Sequence, residues 1–407
     1  MNSSTALTSP VSRLANRLVL FSVLATGIGQ SMTFTLLAPL GREVGLSEVQ
    51  IGLIITCSSL AFTLTSPAWG RTSDRWGRKP VLLLGLSGYT FGCLLFATVL
   101  FYGLKGLLSG LALYLLVIGS RVLMAALMSA APSAASAYIA DTTSAAQRVA
   151  GMGRLGAART LGAILGPAMC GLFAVIGLLA PLYLAAGITF FSTALIAVVL
   201  KEPRRSAPPP TIKLKLKLFD NRYFPYLLVG FLTFFAFSMT TQTIGFYIQD
   251  LFVLDGKTTA QTIGMGMMTA AAMSFFAQTF VAGQVKMNPN RMMALGLPVL
   301  MAGEALLLTA NSIPAMVIFL GILGLGIGMV SPGFTAGASL AVGPEEQGAV
   351  SGMVAACPSA GFVLGPIVGT SLYQVDHALP YLLACTLMLP LTLYVWRFGR
   401  MERRTAL

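Results

Sequence analysis

The sequence predicts an all-α membrane protein of twelve transmembrane helices, arranged as two six-helix bundles. Three observations carry that expectation. Of 407 residues, 56% are hydrophobic and only 10% charged, with a mean hydropathy of +0.81; a soluble domain has about 25% charged residues. Apolar runs of about 20 residues, enough to cross a ~30 Å hydrocarbon core as a helix, recur along the whole chain. A glycine-containing segment occurs twice, as GAILGPAMCG at 162–171 and GFVLGPIVGT at 361–370. Backbone in lipid must satisfy its own polar groups, so such runs are helices.

The elements follow in order. Span one, 17–39, succeeds the polar stretch MNSSTALTSPVSRLANR with Arg13 and Arg17. No convincing small-residue cleavage site follows it, so it reads as a helix and not as a removed signal peptide. Spans two and three, 50–69 and 80–101, flank the charged turn GRTSDRWGRKP. Span four, 109–139, carries Arg121 in LVIGSRVLMAAL, and span five, 149–175, holds the first glycine segment. Span six, 180–200, completes a first bundle at 1–200. The stretch KEPRRSAPPPTIKLKLKLFDNR, 201–222, is rich in proline and basic residues and reads as a cytoplasmic linker whose lysines meet anionic headgroups. A second bundle, 223–407, contains spans at 224–249, 260–284, 291–310, 314–340, 348–373 and 379–397. Both glycine segments fall in the fifth span of their half with the same orientation. That is a parallel repeat, with Arg291 in the degenerate GQVKMNPNR standing where Arg78 stands in the first half.

Charge reports orientation. The chain has 26 Lys and Arg against 13 Asp and Glu, a net charge of +13. With the N-terminus inside, the outer loops hold only Arg42, Lys105 and Lys257. The positive-inside rule then places both termini in the cytoplasm, and the basic excess is no nucleic-acid signature. Cys57, Cys93, Cys170, Cys357 and Cys385 all lie in apolar runs without paired spacing, which argues against disulfides or a metal site. One histidine, no phosphate loop and no nucleophile–histidine pattern argue against an enzyme or a bound cofactor.

With these stretches in place, the chain resembles the major facilitator superfamily, in particular its twelve-span drug:proton antiporters, which include the tetracycline exporters. The charged turn, Arg121, and the stretch from Ala137 to Gly171 carry the resemblance. It implies a monomer in a bacterial inner membrane, working by alternating access between two halves. It assigns Gly70, Asp74, Arg75, Gly77, Arg78 and Lys79 to a conformational latch on the cytoplasmic side. It assigns Gly162, Gly166, Pro167 and Gly171 to the antiporter helix motif. The sequence departs from the family at Cys170 and Ala125, in the lack of an acid in span one, and at Arg154 and Arg159.

Physical chemistry adds candidates. A carboxylate such as Asp74 at the membrane edge needs solvation or a partner, which the neighbouring basic residues supply. Small residues at helical spacing in span five permit close packing, and Pro167 bends the helix; a hinge and a plain packing seam both fit. Arg121 and Arg159 each fall ~15 Å into a span at 1.5 Å per residue, so they either line a basic substrate cavity or bind backbone carbonyls at helix breaks. Gln30 lies on a face with Thr26 and Thr33, and Gln242 on one with Ser238 and Gln249. Phe234, Phe235 and Phe246 add aromatic surface suited to an amphipathic ligand. Glu304, Asp74 and Asp141 are the candidates for proton coupling, since coupling needs a carboxylate whose affinity for a proton can move. His377 reads as an ordinary loop residue. The expected function is proton-driven efflux of a small amphipathic, anionic compound such as a siderophore or metabolite. A multidrug or tetracycline-type exporter and an organic-anion importer or facilitator are the alternatives. The partners are the small-molecule substrate, protons and membrane lipid, with no nucleic acid.

Overall fold

Each apolar run winds into a helix. The computed structural model describes residues 10–143, 145–203, 219–282, 287–343 and 345–405. Most of the expected linker, 204–218, and part of GQVKMNPNR, 283–286, lie outside the described residues. The first seven helices are α1 (Pro10–Glu43), α2 (Glu48–Trp76), α3 (Arg78–Leu104), α4 (Gly110–Met128), α5 (Ala130–Thr142), α6 (Ala145–Ala174) and α7 (Ala180–Val199). The remainder are α8 (Phe224–Phe252), α9 (Gly256–Phe276) with a π-helical continuation at Ala277–Ala282, α10 (Pro289–Leu307), α11 (Ile313–Leu340), α12 (Gln347–Val375) and α13 (Leu379–Thr405). Among the described residues, 10 helical stretches are long and apolar enough to cross a membrane. Helices α9 and α10 are not among them, because Lys257, the threonines of α9, Arg291 and Glu304 dilute their apolar character.

Span four is one apolar helical stretch, Gly110–Thr142, with an interruption inside it. Its two helices, α4 and α5, meet at Ser129. Pro132 lacks the N–H that would bond the carbonyl four residues back, which interrupts the ladder there. The hydroxyl of Ser129 meets Thr65 Oγ1 at 2.8 Å, and Trp69 Nε1 donates to the Ala126 carbonyl at 2.8 Å, so α2 covers the break.

Helices α9, α10 and α11 start on side-chain caps from Asp255, Asn288 and Ser312. Asp255 accepts the Thr258 N–H at 3.0 Å, and hydrogen bonding by the Thr258 side chain together with that N–H holds its carboxyl below the usual range. Ahead of α8, Arg222 donates to both Glu346 oxygens at 2.9 and 3.0 Å, which holds Glu346 below the usual carboxylate range.

The chain divides into two compact units, Met1–Leu46 with Cys57–Pro210, and Ser47–Thr56 with Thr211–Leu407. The first has a core around Val19, Leu82, Leu86, Ala131, Ala134 and Tyr138. The second has a core around Met239, Leu297, Leu300, Leu320, Phe334 and Tyr381. Large apolar side chains such as Phe190, Val198, Leu251 and Leu389 stand exposed, as suits a surface bathed in lipid.

Candidate functional sites in the two units

The charged turn forms a knot within the first unit. Helices α2 and α3 are separated by Gly77 alone, at φ 111° and ψ 160°. That backbone region is open essentially only to glycine. A Cβ there would also stand 2.8 Å from Glu202 Oε1. The bend aims the first N–H groups of α3 at Glu202, whose two oxygens accept from Arg78 N at 2.6 Å and Lys79 N at 2.8 Å. A carboxylate on a helix N-terminus is favourable. Arg78 Nε donates to Asp141 at 2.7 Å, and Nη1 donates to Ser73 at 2.7 Å and to Asp74 at 2.5 Å. Lys79 Nζ donates to the Ala197 carbonyl at 2.8 Å. Arg78 thus binds the end of α2 to the end of α5, while Glu202 ties the segment after α7 to the start of α3. Arg75 is exposed at the end of α2, and a Cβ at Gly70 would meet nothing within 4 Å.

These glycines separate by experiment. Gly77→Ala is expected to cost about 1–3 kcal/mol from backbone strain alone and to lower the melting temperature in detergent. Gly70→Ala should leave it unchanged or raised. Equal melting of the two variants would remove the strained turn from the account.

The glycine motif forms a seam between α1 and α6. A Cβ at Gly162 would lie 2.9 Å from the Gly27 backbone, and one at Gly166 would lie 2.7 Å from the Ile28 carbonyl oxygen. Ser31 Oγ donates across the seam to the Ala163 carbonyl at 3.2 Å. Pro167 sits inside α6 beside this contact, and Gly171 is half-buried one turn on. The second unit repeats the arrangement between α8 and α12. There a Cβ at Gly361 would lie 2.7 Å from the Phe234 backbone, and one at Gly365 would lie 2.9 Å from the Phe235 oxygen.

Arg121, on α4, is 2% exposed. Its guanidinium lies 5.4 Å from the Phe34 ring centroid on α1. Tyr89 and Cys93 of α3 are the titratable groups that interact with it. No carboxylate pairs with it among the described residues, and neither its Nε nor the Tyr89 hydroxyl has a hydrogen-bond partner there. Arg159 is placed differently. It is exposed on α6, so the two arginines do not share one buried environment. Thr26 and Thr33 are buried and donate to the Ser22 and Gly29 carbonyls of their own helix, so their hydroxyls are spent on backbone. Gln30 is half-buried beside them. In the second unit Gln242 is buried, and Phe234 packs edge-on against Phe334 at 6.1 Å.

Glu304 of α10 is fully buried. Thr240 Oγ1 of α8 lies 2.9 and 2.8 Å from its two oxygens and 3.3 Å from the Ala236 carbonyl. A hydroxyl carries one proton, so it cannot satisfy both carboxylate oxygens. The single Thr240 proton is therefore shared among the two Glu304 oxygens and the Ala236 carbonyl. Asp74 and Asp141, by contrast, are held by Arg78. Sequence reasoning missed Ser73, Glu202 and Thr240. A threonine among many and a single acid in a basic stretch carry no spacing signal.

A polytopic helical chain with a charged turn, a buried arginine and paired glycine seams has the makings of a membrane transporter. The Major Facilitator Superfamily model matches residues 19–285 and 258–406, and the chain belongs to that family. It is an integral membrane transport protein. It is 27% identical over 374 residues to the tetracycline resistance protein, class B, of Escherichia coli, covering 90% of each chain. It is 24% identical over 352 residues to multidrug resistance protein 1 of Bacillus subtilis, covering 84% of this chain and 85% of that one. In fold it is similar to a bacterial homologue of the human lysosomal transporter Spinster, solved in an inward-facing, occupied conformation, with a TM-score of 0.75, 12% identity and coverage of 97% and 98%.

Proposed function

We propose that the chain exports a small amphipathic compound across a bacterial cytoplasmic membrane in exchange for protons, and that the compound bears an anionic group received by Arg121. Twelve spans with both termini in the cytoplasm form the frame, and a single chain is the working unit. The carrying observation is Arg121, which is buried beside an aromatic ring and, among the described residues, has an unpartnered Nε and no carboxylate partner. An intramembrane arginine is costly unless a partner meets it, and an anionic substrate supplies that partner. The relatives named for tetracycline and multidrug resistance span most of this chain. They move the substrate class toward an antibiotic-like amphiphile and away from a siderophore or metabolite. Glu304 serves as the exchanging carboxylate, since Asp74 and Asp141 are committed to Arg78. The Arg78 knot acts as the latch, releasing Asp74 or Asp141 when the transporter switches.

The test uses purified protein in proteoliposomes, with an imposed pH gradient and an internal pH probe. Tetracycline and an anionic chelator are expected to drive proton movement. Arg121→Ala should reduce that movement about tenfold or more, as for loss of a hydrogen bond to a charged group, with partial recovery in Arg121→Lys. Movement driven by cationic dyes alone, and unchanged in Arg121→Ala, would overturn the anionic reading.

A further inference from the structure

The one histidine of the chain belongs to a polar cluster where α8 ends and α12 gives way to α13. Tyr373 donates to Asp250 Oδ2 at 2.6 Å, and His377 Nε2 lies 3.9 Å from the same oxygen. The Tyr373 and His377 rings stack, with centroids 4.6 Å apart and planes at 6°. The side chains of His377 and Asp250 are 59% and 30% exposed, so the cluster opens to solvent. Neighbouring Asp376 is occupied with the Ala378 N–H at 2.7 Å.

From Asp250 a stripe runs inward along α8. Thr240, Thr243, Tyr247 and Asp250 stand at i, i+3, i+7 and i+10, which is one face of a helix about 15 Å long over those positions. Tyr381 of α13 lies against this stripe. Its ring centroid is 5.0 Å from that of Tyr247, and Thr243 Oγ1 meets its hydroxyl at 3.4 Å. Tyr381 is fully buried and interacts electrostatically with both Asp250 and Glu304. Thr240, at the inner end, contacts both Glu304 oxygens. The other titratable group that α13 turns toward Glu304 is Cys385, and α11 has none in its sequence.

We propose that Asp250, with His377 and Tyr373 beside it, collects protons from the non-cytoplasmic face, and that Tyr381 and the α8 threonines carry them to Glu304. The route rests on the reading of Glu304 as the coupling carboxylate and deepens it. The transfer balances. A hydronium ion protonates the Asp250 carboxylate and leaves as water, and that proton passes to the Tyr381 oxygen as Tyr381 gives its own to the Thr243 hydroxyl. Thr240 relays a proton to Glu304 and is re-protonated by way of Thr243, which recovers its own from Tyr381. The net result is one proton moved from solvent to Glu304, which becomes neutral, with Asp250, Tyr381 and Thr240 restored.

The test follows Glu304 itself, without substrate. Full-length protein in lipid nanodiscs is given a rapid pH jump, and the carboxylic C=O stretch is followed by infrared difference spectroscopy. The Glu304 band is identified by its loss in Glu304→Gln. Tyr381→Phe and Asp250→Asn are expected to slow its appearance on the order of a hundredfold, the scale of a positioned proton donor, with its final amplitude kept. Asp250 lies at the solvent edge, so its variant keeps the test available if Tyr381→Phe does not fold. Wild-type rates in Asp250→Asn or Tyr381→Phe would overturn the route while leaving proton-driven transport to stand on the vesicle assay. A pH jump with no Glu304 band would overturn the route and the coupling role of Glu304 together.

Discussion

Valine at Gly166 is expected to leave little folded protein. The added Cβ would fall 2.6 Å from the Ser31 Cβ and 2.7 Å from the Ile28 carbonyl oxygen. A carbonyl on the partner helix cannot rotate aside as a side-chain tip can, so α1 and α6 would have to part along the seam. Overpacking by a methylene or two costs about 1–3 kcal/mol, and valine against backbone should exceed about 3 kcal/mol. That is a large fraction of a total stability of about 5–15 kcal/mol. Gly166→Ala should fall between, and Gly153→Ala is the control, since nothing lies within 4 Å of that position. Size-exclusion chromatography and thermal melting in detergent read the result. A monodisperse Gly166→Val protein with wild-type melting would show that the seam is looser than these distances.

Glu304→Gln is expected to uncouple transport without unfolding the protein. Glutamine keeps the volume and leaves no charge to desolvate in the buried pocket under Thr240. It cannot take up and release a proton. Net transport of tetracycline against its gradient under an imposed pH gradient should fall on the order of a hundredfold, while equilibrium exchange of tetracycline between equal pools persists. Thr240→Val should act in the same direction but more weakly, because it removes a contact and not the titrating group. Wild-type driven transport in Glu304→Gln would shift the coupling role to Asp74 or Asp141 and make release from Arg78 the step to examine.

The helical runs and the charged turn were legible because hydropathy and dense motifs are local signals. Arg121 stands out in the sequence because it interrupts an apolar run, and its side chain is buried. Other features depend on groups far apart in the chain. Glu202 reaches the start of α3 from 124 residues away, and no local pattern marks it. Thr26 and Thr33 formed a convincing polar face, yet each hydroxyl bonds its own helix, which periodicity cannot distinguish from a wet lining. Arg159 is exposed on α6, and counting along a run does not give the direction a side chain faces. Pro132 was in view and apolar continuity hid the break it makes. The stripe from Thr240 to Asp250 has a helical spacing that could have been read, but its meaning depends on Glu304 and Tyr381, which lie on other helices.

The clasp of Glu202 on α3 also bears on how the first half is made. Ribosomal synthesis runs at about 5–20 residues per second, so the 124 residues that separate Glu202 from Arg78 take roughly 6–25 s to follow. For that interval the N-terminus of α3 lacks its anion, and Arg78 is steadied by Ser73 and Asp74, joined by Asp141 once that residue has been made. Completion of the bundle therefore waits on the first residues past α7. A nascent chain halted just before residue 202 would hold all of the helices of its first half and none of the clasp that finishes it.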